Sequence, residues 1–143
     1  MSLIYLLDTN TISEPLKAAP NQQVIENIQR HHANIAIAVF VVYELIRGVE
    51  LLPDSKKRLK TYDYIESVLA KFPVLTYTEK AAKWQGKTTA NLQQQGKTPP
   101  FVDSQIAAVA KTNNLILVTR NINDFSYFFI YSMLLLIIVF FIV

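Results

Sequence analysis

The 143 residues are 51% hydrophobic and 17% charged, a balance that builds one domain with a sizeable core and excludes a disordered chain. No cysteine is present, which excludes a disulfide framework, thiolate catalysis and every cysteine-based zinc site. The formal net charge of +3 is compatible with a polyanionic partner and too small to identify one.

The N-terminus has no basic segment, and its apolar run Leu3 to Leu7 is cut short by Asp8. It therefore reads as a first strand buried on both faces and not as a signal peptide. Pro20 to His32 has the pattern of a helix with Val24, Ile25 and Ile28 on one side, and Ile35 to Ala38 is a second short apolar run. From Val39 to Leu52, Val41, Leu45, Val49 and Leu52 recur at helical spacing, with Pro53 closing the segment. Lys56 to Lys71 is a basic amphipathic helix carrying Leu59, Tyr62, Ile65 and Leu69.

Pro73 to Tyr77 is the third strand candidate. Thr76 and Glu79 have the spacing of a capping box that would start the helix bearing Trp84, itself a core or interface anchor. Gly96 to Pro100 is a loop, Phe101 to Asn113 a helix and Leu115 to Val118 the fourth strand. Short strands alternating with helices predict an α/β fold with a parallel sheet of about four strands and helices on both faces. Two signals carry no function: Gly86-Lys87-Thr88 and Gly96-Lys97-Thr98 lack the earlier glycine of a phosphate loop, and His31-His32 is a helix-end pair without a third ligand.

In an open parallel sheet, ligands gather at the carboxyl ends of the strands. Asp8 follows the first strand and Asp124 lies just past the fourth, while Glu44 and Asp103 sit on helices. Each has an ordinary reading: helix cap for Asp8, solvated helix residue for Glu44, dipole partner for Asp103, turn residue for Asp124. Glu44 and Asp103, however, lie in segments so apolar that full solvation is hard to maintain, and buried carboxylates need a partner or a metal. Oxygen-only ligands suit Mg²⁺ or Mn²⁺, and phosphodiester hydrolysis is the chemistry such acids serve.

The residues Leu6-Leu7-Asp8-Thr9-Asn10, Tyr43-Glu44-Leu45 with Gly48, Asp103 before Ile106-Ala107-Ala108, and Thr119-Arg120-Asn121 with Asp124-Phe125 resemble the PIN-domain family. The likeness is closest to the VapC-like toxin ribonucleases of type II toxin–antitoxin pairs, and it spans about Leu3 to Phe125. It implies a PIN-like three-layer α/β/α sandwich in a nuclease domain at 1–125. It also implies a Mg²⁺- or Mn²⁺-dependent endoribonuclease toxin of the cytoplasm, neutralised by a cognate antitoxin.

On the same resemblance Asp8, Glu44, Asp103 and Asp124 are the catalytic acids. Asp8, Asp103 and Asp124 hold the metal, and Glu44 orients or deprotonates the attacking water. Asn10, Thr119 and Asn121 support the site. Arg47 and Arg120 are candidates for RNA contact, with the Lys56-Lys57-Arg58 run a weaker one, since such a run is ordinarily a solvated helix face. The family also implies a homodimer, and operator DNA bound only through the antitoxin.

The segment 126–143 departs from the family. Tyr127 to Val143 carries no charge and only Ser132 is clearly polar, near the lower limit of about 17 residues for a membrane span. A frameshifted or degraded end is favoured modestly, because no lysine or arginine follows the segment. A C-terminal membrane anchor and a packed or dimer-interface segment stay open. With them stays the rival reading of an inactive PIN-like protein that only binds its antitoxin, or of a decayed gene product.

Overall fold

The structure is a computed structural model that describes residues 2–128, so positions 129–143 of the apolar tail, and the readings attached to them, lie outside the described residues. The chain runs β1 (Tyr5–Leu7), α1 (Thr9–Ile12), a 3₁₀ turn at Glu14–Leu16, α2 (Gln22–Arg30), a 3₁₀ turn at His32–Asn34 and β2 (Ile35–Ala38). It continues through α3 (Val39–Glu50), α4 (Lys56–Lys71), β3 (Val74–Leu75), α5 (Glu79–Gln94), α6 (Phe101–Thr112), β4 (Ile116–Val118), α7 (Ile122–Phe125) and a last 3₁₀ turn at Ser126–Phe128.

The strands form one parallel sheet in the order β3-β2-β1-β4. β1 pairs with β2 through Leu6 and Ala36, and with β4 through Leu6 and Leu117. Every residue of β2 is buried, and Leu6, Leu7, Leu117 and Val118 are too, as continuous apolar runs in a sheet covered on both faces require. Connections from β1 to β2 to β3 step one way, and β4 then lands on the opposite side of β1. The switch point therefore lies between β1 and β4, and their carboxyl ends open a crevice there.

Local signals fix the helix ends. The Asn21 side chain accepts from the Gln23 and Val24 amides (3.0 and 3.2 Å), and the Ser55 hydroxyl from the Arg58 amide (3.2 Å). α5 is capped by Thr78, whose hydroxyl accepts from the Ala81 amide at 3.1 Å, and not by Thr76 as the spacing to Glu79 suggests. Thr78 directly precedes the first helical residue, and only from there can a hydroxyl reach the third amide of the helix. Left-handed conformations at Gly96 (φ 76°) and Asn114 (φ 54°) close α5 and α6, where the Lys97 and Leu115 amides return to the Leu92 and Ala110 carbonyls at 2.9 Å each.

The packed unit continues through the last described turn. Phe125 and Phe128 are buried, and the Phe128 ring lies 5.9 Å from that of Trp84, centroid to centroid. Among the described residues no helix is long and apolar enough to cross a membrane.

Candidate active site

Asp8 leaves β1 with its amide bonded to the Val118 carbonyl (3.1 Å), so it stands at the crevice between β1 and β4. It is the N-cap of α1: one carboxylate oxygen accepts from the Thr11 amide at 2.9 Å. The other accepts from the Thr119 hydroxyl. Asp8 is only 3% exposed and both oxygens are engaged, so its carboxylate cannot turn. Burial pushes its pKa up, the Thr119 and Thr11 bonds hold it down in part, and Glu44 adds to the rise.

Thr119 follows β4 and does two things. It donates to Asp8, and its oxygen accepts from the Asn121 amide at 2.9 Å. The Asn121 side chain in turn donates to Asp124 in the first turn of α7. The segment after β4 thus links two of the expected acids through one threonine and one asparagine.

Glu44 sits midway along α3 and is half-buried. One of its oxygens accepts from the Thr9 hydroxyl at 2.7 Å. Thr9 was not among the expected residues, although it adjoins Asp8. Asn10 is exposed, and among the described residues no hydrogen bond ties its side chain to Asp8. The reason is helical spacing: in a chain that turns into α1 at Thr9, the residue three positions after Asp8 meets it, and that is Thr11. The apolar residues of α3 are also less thoroughly covered than their number suggests, since Tyr43 is 57% exposed.

Asp103 lies in the first turn of α6, half-buried, above the tightly packed run Ile106 to Ala110. Its carboxyl is pushed up to about 6 by burial first, then by the charges of Asp124, Glu44 and Asp8, and by sharing a proton with Asp124. Three other acids thus act on one carboxyl, which places all four in one electrostatic neighbourhood. Among the described residues, none of the four forms an ion pair with lysine or arginine. The same residues contain no ready-made cage of three or more metal-ligating side chains.

This crowding has a consequence for stability. A carboxyl raised from the ordinary 3.8 to about 6 binds more protons folded than unfolded in that interval, so stability falls as pH rises through it. Asp103→Asn is neutral throughout and removes the fall. It is expected to raise the thermal midpoint of metal-free protein at neutral pH by a few degrees, on the order of 1 kcal/mol. Circular dichroism melts in EDTA check this, and a lowered midpoint would show that repulsion is not what Asp103 experiences.

Of the two arginines expected to contact RNA, Arg47 is exposed in the last turn of α3, and Arg120 forms an ion pair with Glu14 at 2.5 Å. In the basic run, Arg58 bonds to Glu50 (2.7 Å) and to the Leu52 carbonyl (3.3 Å), while Lys57 lines a groove of about 260 Å³ beside Glu44 and Thr9. Gly48 and Thr61 form part of the same wall.

The chain is similar to known proteins. The model of the PIN domain matches residues 5–127. The chain is 33% identical over 124 residues to toxin FitB of Neisseria gonorrhoeae, covering 84% of this chain and 89% of that one. It is 30% identical over 124 residues to ribonuclease VapC2 of Haemophilus influenzae, covering 87% and 91%. Its fold is similar to the crystal structure of FitAcB from Neisseria gonorrhoeae, with a TM-score of 0.80, 32% identity and coverage of 87% and 92%. It is also similar to DNA-bound VapBC from Salmonella typhimurium, with a TM-score of 0.76, 28% identity and coverage of 87% and 91%.

Proposed function

The chain belongs to the PIN-domain family, and on that premise we propose that it is an endoribonuclease toxin that hydrolyses RNA phosphodiester bonds and is neutralised by a cognate antitoxin. The observation that carries the reading is the gathering of Asp8, Glu44, Asp103 and Asp124 near the switch point of the sheet, with none of them, among the described residues, ion-paired to a lysine or arginine. Four uncompensated acids are costly to hold together, and the cost is rational where their charge serves a cation. Relatives named as a toxin and as a ribonuclease support the same reading.

The described residues form no closed metal cage, and it is the chemistry of the donors that suits a hard divalent cation. All four donors are carboxylate oxygens, and their mutual repulsion is relieved by positive charge. Asp8, Asp103 and Asp124 would hold Mg²⁺ or Mn²⁺, which supplies Lewis acidity toward the phosphodiester. The chain's own residues do the rest. Thr119 and the Thr11 amide fix the Asp8 carboxylate, and Asn121 fixes that of Asp124. Glu44, with one oxygen held by Thr9, keeps the second for the proton of an attacking water. Lys57 lines the groove beside Glu44 and would meet a phosphate next to the cut there, while Arg47, exposed on the same helix as Glu44, is the second candidate for a phosphate.

Purified antitoxin-free protein is expected to cut tRNA or mRNA with Mg²⁺ or Mn²⁺, to stop on addition of EDTA and to resume on excess Mn²⁺. Cutting that ignores EDTA would remove the metal from the account, and no cutting at all would remove the activity. The antitoxin is expected to restore growth on co-expression, and operator DNA to bind only when it is present. The DNA-bound VapBC of Salmonella typhimurium supports a DNA-binding complex.

A further inference from the structure

Glu14 is the second fully buried carboxylate of the described chain, and the acidic site does not use it. It is 1% exposed, in the 3₁₀ turn directly after α1. Three donors from three segments meet it: Lys17 Nζ at 2.5 Å, the Asn21 amide at the start of α2 at 2.9 Å, and Arg120 Nη1 at 2.5 Å. Burial alone would raise its pKa, but the bonds from Lys17, Asn21 and Arg120 outweigh burial and hold it at about 2. It is therefore an anion throughout the working range, and its pairing with Arg120 persists there.

The place of Arg120 gives this pair its meaning. Its neighbour Thr119 donates to Asp8 and its other neighbour Asn121 donates to Asp124. Fixing the side chain between them fixes the short turn that carries both. The fixing point is well chosen, because Glu14 belongs to the segment that Asp8 begins: both ends of the linkage from Asp8 through Thr119 are tied to the same stretch of backbone. We infer that the Glu14–Arg120 ion pair is a positioning device that holds the turn after β4 so that Thr119 and Asn121 present Asp8 and Asp124 in working geometry. Arg120 then acts on catalysis through its neighbours and does not bind RNA. This inference rests on the acids being the active site, as proposed above.

The test uses the full chain with Glu14→Gln, Arg120→Gln, the double variant, and Lys17→Ala as a control. Lys17 is 42% exposed and bonds the same carboxylate oxygen, and among the described residues it forms no hydrogen bond with the turn after β4. Cleavage of tRNA with Mn²⁺ is measured where circular dichroism shows every variant folded. Each of Glu14→Gln and Arg120→Gln is expected to lower kcat about 10- to 100-fold with KM within about threefold. The double variant is expected to be no worse than the poorer single one, as for two partners of one interaction. Lys17→Ala is expected to keep the wild-type kcat.

A separate readout needs no activity. Amide exchange at Asn121, whose N–H is held by Thr119, is expected to speed up about tenfold or more in Glu14→Gln and Arg120→Gln and to be unchanged in Lys17→Ala. If the glutamine variants do not fold, Glu14→Asp and Arg120→Lys keep both charges while weakening the contact through a shorter reach or the loss of the guanidinium, and the same pattern is expected at smaller size. An Arg120→Gln that raises KM at unchanged kcat, beside a Glu14→Gln without effect, would make Arg120 an RNA contact and overturn the inference. So would an equal loss in Lys17→Ala, or Asn121 exchange that no variant alters. A wild-type chain that cuts no RNA would instead fell the proposed function, and Asn121 exchange would still decide the role of the pair.

Discussion

Asp8→Asn is expected to reduce RNA cleavage by about a thousandfold or more while leaving the protein folded. An amide oxygen can still accept from the Thr11 amide, so the N-cap of α1 is kept, and the amide nitrogen can donate to Thr119 in place of accepting from it. What is lost is the negative charge at the crevice, and removal of one group that acts on the reacting centre typically costs a factor of this order. Asp8→Ala separates the two duties. It loses the charge and the cap together, so it should show the same loss of cleavage plus about 1 kcal/mol of stability. Rates from a tRNA cleavage assay and midpoints from thermal melts check both. An Asp8→Asn protein as toxic on expression as the wild type would end the account of this carboxylate.

Phe128→Ala is expected to destabilise the protein strongly. The ring is fully buried at the end of the described chain and meets Trp84 on α5. Truncating a buried phenylalanine costs about 3–5 kcal/mol, since transfer free energy is lost and a cavity remains. For a chain of this size that is about 10 °C in the thermal midpoint. Ending the chain after Phe125 should cost at least as much, whereas ending it after Phe128 keeps this contact. Denaturant melts of the three proteins check the order. A Phe128→Ala protein as stable as the wild type would show that the last turn contributes nothing to the core.

These two substitutions also mark what the sequence made legible. The strand at Ile35–Ala38 and the helix at Lys56–Lys71 are found where the residue pattern puts them, because an uninterrupted apolar run and a capped amphipathic period are local signals. The parallel sheet follows from the alternation of strands and helices, and the switch point then puts the end of β1 beside the end of β4. Asp8 could be singled out for that reason, because it directly follows a strand that ends at the crevice, whereas Thr119 came only with the family resemblance. Glu14 was not. Its partner Arg120 is 106 positions away, and nothing in Ser13-Glu14-Pro15 distinguishes a buried anion from an exposed one.

Thr9 and Asn10 show the same limit at short range. Both lie within two positions of Asp8, and only the direction in which the chain turns decides which side chain meets an acid. Thr9 reaches Glu44 from the first position of α1, while Asn10 faces solvent. Arg120 carries the lesson furthest. As a basic residue in a motif near acids it reads as a phosphate contact, and its carboxylate partner becomes visible only when the turn after α1 is folded against the turn after β4.

The measurement that bears most directly on the whole account is tRNA cleavage by wild-type and Asp8→Asn chains side by side, each freed of antitoxin and assayed first in EDTA and then in excess Mn²⁺. The account predicts cutting in one arm only, wild type with Mn²⁺. Cutting by the wild type in EDTA, or by Asp8→Asn at the wild-type rate, would contradict it.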